Sequence, residues 1–179
     1  MHKTEIQRFV VMGVSGCGKS SVAKELARQI EGAFIEGDDL HDATSIEKMS
    51  RGEPLTDDDR WPWLERLGVA IAAAETPVVA SCSALKKGYR DRIRQQVKRE
   101  NNEAVGFLHL VAEFDVINQR MQQRANHFMP SSLLASQFEA LEPLEDDEIG
   151  VDIVVAGDLS QVVAKATQAV LNNEYGLVK

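Results

Sequence analysis

Apolar and polar positions alternate between short, unbroken apolar runs and longer stretches with helical spacing. The runs Phe9–Met12, Ala33–Glu36, Val78–Ser81, Phe107–Val111 and Asp152–Ala156 read as strands. Helical patterns fill the gaps at Ser20–Ile30, Ala43–Arg51, Trp61–Ala74, Gly88–Arg99, Phe114–Arg124, Ser131–Leu141 and Ser160–Asn173. In the first of these, Val22, Ala23, Leu26, Ala27 and Ile30 recur at the spacing of one helix face. Such alternation predicts an α/β fold, a three-layer α/β/α sandwich around a central parallel sheet. Ser160 is the expected cap of the last helix, and Asp57 to Asp59 lie just ahead of Trp61. Two stretches, Gly37 to Trp63 and Ala125 to Asp147, are polar, broken by proline or glycine, and longer than ordinary connections. Ligands in open α/β sheets bind beyond the carboxyl ends of the strands. Residues 37–64 are therefore expected to form a substrate-binding segment and 124–147 a mobile helical lid, within one domain spanning 1–179.

Between the first strand and the first helix stands Gly13-Val14-Ser15-Gly16-Cys17-Gly18-Lys19-Ser20, a complete G-x-x-x-x-G-K-[ST] phosphate loop. Its glycines let backbone N–H groups turn inward on phosphate oxygens, its lysine reaches the β- and γ-phosphates, and its terminal hydroxyl is the usual Mg²⁺ ligand. The helix that follows points its N-terminus at the bound anion. Gly13 through Ser21 are thus expected to bind a nucleoside triphosphate, with Lys19 acting on the transferring phosphate and Ser20 on the metal. The fold class narrows to a P-loop NTPase-type sheet resembling the nucleoside monophosphate kinases.

Composition sets limits. A length of 179 residues suits one domain with a real core. A formal charge of −8 argues against a nucleic-acid-binding body and asks for local basic pockets if the substrate is anionic. Met1 to Arg8 lacks the apolar core of a signal peptide, and no apolar stretch is long enough to cross a membrane, so a cytoplasmic protein without membrane partners is expected. Cys17 and Cys82 show no metal-type spacing and read as reduced thiols; a redox role for Cys17, at a helix start that favours thiolate, is the competing use.

Candidate chemistry gathers beyond the strand ends. After the second strand comes Glu36-Gly37-Asp38-Asp39-Leu40-His41, where Asp38 is the expected base for an attacking hydroxyl, with a turn or helix cap as its alternative use. His41 would hydrogen-bond the acceptor, or serve structure alone. Arg60 is suited to grip a carboxylate bidentately, whereas Asp57 and Asp59 read as capping acids and Asp58 stands between the two uses. Trp61 and Trp63 read as wall and core rather than as a sugar platform. After the third strand, Lys86 and Arg90 share one face if a helix begins near Lys86, and would contact substrate anion or transferring phosphate. The strand itself ends without a Walker B acid. Arg120 and Arg124, one helical turn apart, suggest a clamp on adenine and on the transferring phosphoryl group; two surface arginines are the alternative.

Together these blocks resemble the gluconokinase family, small P-loop kinases of the adenylate-kinase-like and shikimate-kinase-like group. The resemblance runs from Val11 to Gly16 through Gly37–His41, Ile46–Met49, Gly52–Arg60, Pro62–Leu64, Cys82–Lys87, Tyr89–Asp91 and His127–Pro130 to Ser136–Glu142. The Lys48–Leu64 and Ala84–Asp91 blocks are its most specific parts. It implies ATP- and Mg²⁺-dependent phosphorylation of D-gluconate at O6 by a cytosolic homodimer. Lys48 and His127, which stand in these blocks, join the expected substrate-binding residues. Glu36, Asp42, Ser45 and Asn126 depart from the family's usual aspartate, proline, asparagine and glycine, which puts selectivity among sugar acids in question.

Overall fold

The computed structural model describes residues 5–124 and 131–177. Five strands lie parallel: β1 (Arg8–Met12), β2 (Ala33–Glu36), β3 (Val78–Ser81), β4 (Gly106–Val111) and β5 (Ile149–Val154). A two-residue β6 (Gly176–Leu177), unforeseen in the sequence, joins antiparallel at the edge, giving the order β2-β3-β1-β4-β5-β6. Strand β1 is central and is buried at every position. Phe9 and Val11 face one core, Val10 and Met12 the other. A strand covered on both faces reads as a continuous apolar run, which is why this one was plain in the sequence.

The helices are α1 (Lys19–Gln29), α2 (Ala43–Ser50), α3 (Asp57–Ala73), α4 (Lys87–Asn101), α5 (Phe114–Gln122), α6 (Ser131–Ala140) and α7 (Leu159–Leu171), with a 3-10 turn at Gly37–Leu40. Leu26 of α1, Ile117 of α5, Leu134 of α6 and Ala166 of α7 pack in one core; Leu64 and Leu67 of α3 and Ile93 of α4 pack in the other. None of the described helices is long and apolar enough to cross a membrane.

Three boundaries differ from expectation, two set by local capping and one by long-range pairing. Helix α3 starts at Asp57, four residues before Trp61, because Thr56 and Asp59 form a reciprocal capping box; Pro62 sits inside the helix. Helix α7 is capped by Asp158 with Gln161, not by Ser160, whose hydroxyl donates to Asp158. Strand β5 begins at Ile149 because its register follows β4, from Gly106 opposite Ile149 to Val111 opposite Val154. Long-range pairing overrides the acidic residues before it.

The β4–β5 register also sets His109 directly opposite Asp152, with Nδ1 2.9 Å from the carboxylate Oδ1. His109 is buried, and burial holds its pKa below the usual 6.5; Asp152 opposes that shift and Arg90 adds to it. The unfolded chain therefore takes up this proton at a higher pH than the folded one. Its contribution to stability is whole above about 6.5 and is lost as pH falls toward the folded value. Thermal melts from pH 7 to 5.5 should show a falling midpoint, and His109→Asn should flatten the fall. An unchanged slope would assign the proton to His41, whose pKa is also lowered by burial.

Candidate active site

The phosphate loop leaves β1 and feeds α1 through Gly18, whose φ of 94° is left-handed and costs little without a Cβ. No side chain caps α1, so its first amides remain for an anion at the positive end of the helix dipole. Ser20 and Ser21 are exposed in that first turn. Lys19 folds back, its Nζ donating to the Val14 carbonyl at 3.0 Å. Cys17 does not carry the reactive thiolate that its place near a helix start suggested. It is buried, and desolvation pushes its thiol pKa up despite Lys19 nearby; the Cys82 thiol is pushed up to about 12 for the same reason.

Arg120 and Arg124 come to one cleft of about 250 Å³, beside Gly16, Gly18 and Ser21 of the loop end and Asp158. Helix α5 stops at Gln122, so Arg124 lies just past its end, while Arg120 donates to the Gly157 carbonyl at 3.3 Å. The cleft's far wall, from Val155 to Leu159, is the turn between β5 and α7, to which the sequence reading assigned no role. The usable signal was its position after a strand's carboxyl end.

Across the loop, β2 ends in the 3-10 turn that carries Asp38. Gly37 must be glycine: a Cβ there would come within 2.1 Å of the Ser81 carbonyl oxygen. That close approach brings β2 and β3 together at their ends. Glu36, the longer acid noted above, accepts from the Ser81 hydroxyl at 2.6 Å. Glu36, Asp38 and Lys19 all act electrostatically on the Cys82 thiol between them. The Asp38 side chain is 79% exposed and 3.8 Å from His41 Nε2, beyond hydrogen-bonding distance. His41 stacks on Trp63 at 4.1 Å, its Nδ1 buried without a partner. Trp63 Nε1 donates to the Gly37 carbonyl at 2.8 Å, so the indole supports the turn. Two departures from the family pattern also find a use here. Asp42 caps α2 by accepting from the Ser45 N–H at 2.7 Å, and Ser45 is buried.

The structure brings Arg60 and Lys86 together, as expected, around a residue whose part was misjudged. Asp57, read as a cap, instead lies 3.4 Å from each cation and accepts the Tyr89 hydroxyl, which holds its pKa below the usual carboxylate value. Arg60 also donates to the Tyr89 hydroxyl at 3.3 Å, and Lys86 Nζ stands 5.5 Å from the Tyr89 ring centre. Two cations against one carboxylate leave this cluster with one positive charge in excess. Lys48 is held by both oxygens of Asp59, at 2.9 and 3.0 Å, and so ties α2 to the capping box of α3.

Arg90 is a correction. It is completely buried against Glu148, itself fully buried, at 2.6 and 3.0 Å. Its remaining N–H groups donate to the carbonyls of Ala84, Leu85, Glu142 and Pro143, leaving no donor for a substrate. Lys86 is the extended N-cap of α4 and not part of its first turn, so it does not share a helix face with Arg90. Arg90 also alters the reading of 124–147 as a lid. Leu134 lies in the core, Glu142 N–H donates to the Leu85 carbonyl at 2.8 Å, and Arg90 fastens the chain at 142–148. Expected lid residues His127 and Asn126 lie outside the described residues. Gln137, within this anchored part, touches the phosphate loop and was missed; its partner Ser15 lies 122 positions away.

Among the described residues, no three histidine, cysteine or acidic side chains could cage a metal. The Ser20 hydroxyl, exposed in the first turn of α1, is a hard-oxygen donor suited to a Mg²⁺ that keeps water and phosphate as its main ligands.

Comparison with known proteins agrees with this geometry. A family model described as an AAA domain matches residues 9–144. The shikimate kinase of Bacteroides thetaiotaomicron superposes with a TM-score of 0.63 at 16% identity, over 93% of this chain and 98% of that one, a likeness of fold alone. The crystal structure of a gluconokinase from Sinorhizobium meliloti 1021 gives a TM-score of 0.84 at 45% identity, covering 94% of each chain. The thermosensitive gluconokinase of Escherichia coli K12 is 46% identical over 170 residues, 92% of this chain and 88% of that protein. Identity at that level over most of both chains makes the resemblance one of membership: the chain belongs to the gluconokinase family.

Proposed function

We propose that this protein transfers the γ-phosphoryl group of ATP to O6 of D-gluconate, giving 6-phospho-D-gluconate and ADP. The observation that carries the reading is the cluster of Arg60, Lys86, Asp57 and Tyr89, one positive charge in excess, beyond the same strand ends as the phosphate loop. A sugar acid offers that cluster its carboxylate and leaves its far hydroxyl for Asp38. Asp38 orients O6 and accepts its proton as the O6–Pγ bond forms and the bond from Pγ to the β–γ bridging oxygen breaks. Lys19 and Arg124 stabilise charge on the transferring group, Arg120 holds the base end of the nucleotide, and His41 and Lys48 border the acceptor. His127 belongs to the same proposal through the family resemblance. Mg²⁺, held by Ser20 and phosphate oxygens, would draw charge off the triphosphate. The resemblance further supports a cytoplasmic homodimer, with 37–64 as the acceptor segment of a single domain.

The test is ADP release across D-gluconate, other aldonates, shikimate and nucleoside monophosphates. Turnover is expected with gluconate, at a kcat/KM at least about tenfold above that with any other acceptor, equivalent to about 1.4 kcal/mol of transition-state discrimination. Preference for another aldonate would keep the reaction and change the acceptor. No acceptor-dependent turnover at all would remove the enzyme reading.

A further inference from the structure

A peptide group has two ends, and in the phosphate loop both ends of one such group are held by side chains. The Val14 carbonyl accepts Lys19 Nζ at 3.0 Å. The N–H of the same peptide, on Ser15, donates to Gln137 Oε1 at 2.7 Å, and Gln137 Nε2 donates to the Ser15 hydroxyl at 2.9 Å. A carboxamide accepts and donates at once, so Gln137 meets the backbone and the side chain of Ser15 with one head group. Lys19 Nζ carries three donors, so it can turn to a nucleotide's phosphates with its hold on the Val14 carbonyl either shared or given up. Gln137 holds the N–H end in either case, next to Gly16, whose φ of 81° is left-handed.

The helix carrying Gln137 is itself fastened. Leu134 is 1% exposed, and Phe138 packs edge-on against Phe114 at 5.5 Å. Beyond the helix, the Glu142 carboxylate accepts from the Lys87 N–H at 2.5 Å, at the start of the helix whose N-terminal end holds Lys86 and Tyr89. Gln137 thus stands on a support joined to the acceptor side, not on a loose loop.

We propose that Gln137 is a positioning residue for phosphoryl transfer, keeping the Val14–Ser15 peptide of the phosphate loop in its working orientation while Lys19 engages the nucleotide. It acts through Ser15 and touches no reacting atom. The proposal rests on the reading of the chain as an ATP-dependent kinase.

Gln137→Met keeps length and volume and removes both hydrogen bonds. Calorimetric titration with a non-hydrolysable ATP analogue, without acceptor, is expected to show affinity roughly fivefold to thirtyfold weaker, the scale of up to two lost hydrogen bonds. In turnover, kcat should fall about tenfold or more with KM for gluconate within about twofold, and the melting midpoint should stay within a few degrees. Ser15→Ala, which removes only the hydroxyl half, should cost less, and the double variant should be no worse than Gln137→Met alone. Analogue affinity and kcat both within twofold of the parent would overturn the proposal, as would additive losses in the double variant or a fall in midpoint that accounts for the lost activity. The analogue titration needs no acceptor, so a parent protein that binds the analogue and phosphorylates no sugar acid would refute the gluconate reading while the role of Gln137 is still decided.

Discussion

Asp38→Asn is expected to lower turnover with gluconate by roughly three orders of magnitude while analogue binding stays within about twofold of the parent. The substitution keeps the shape of the side chain and removes its capacity to take a proton. Nothing in the fold leans on that carboxylate: it is 79% exposed and beyond hydrogen-bonding distance of His41, so the variant should melt with the parent. Its backbone, by contrast, is held in place. The 3-10 turn is fixed by the tight Gly37–Ser81 contact and by the Trp63 hydrogen bond to the Gly37 carbonyl, so the carboxylate is presented from a rigid base. Steady-state kinetics and calorimetric titration together check the expectation. Near-normal turnover would remove Asp38 as the base and leave it the role of a turn residue.

Arg90→Met is expected to destabilise the protein by about 3–5 kcal/mol, the cost of leaving one buried charge without its partner. In a chain of this size that lowers the melting midpoint by roughly 10 °C. Glu148 would be stranded at full burial, and four backbone carbonyls would lose a donor. Replacing both partners, Arg90→Met with Glu148→Leu, should recover part of the loss, since no charge is then left buried; the carbonyls remain unserved. Circular-dichroism melts of the three proteins make the comparison. If Arg90→Met melted with the parent and raised KM for gluconate, Arg90 would belong to the acceptor site after all.

Arg90 also shows where reading along the chain stops. The spacing of Lys86 and Arg90 was correct as arithmetic, but the helix begins one residue later, at Lys87. The partner that claims Arg90 lies 58 positions away. Asp57 was misread for a related reason. Thr56 and Asp59 already supply the cap, so Asp57 is free to meet Lys86 and Tyr89, 29 and 32 positions on. Cys17 has the right address for a reactive thiol and the wrong surroundings, because burial opposes the charged form.

By itself the sequence determined the alternation of strands and helices, the phosphate loop and the strand-end carboxylate Asp38. Each of these is made by contiguous residues, whose spacing alone sets which face, turn or helix end they occupy. Only the tertiary structure decided that Arg90 is a strut, that Asp57 is the hub of a cluster with Arg60, Lys86 and Tyr89, and that Gln137 is hydrogen-bonded to the loop. Long polar side chains are assigned by whichever distant donor or acceptor the fold brings within about 3 Å, and that choice is written in no single segment of the chain.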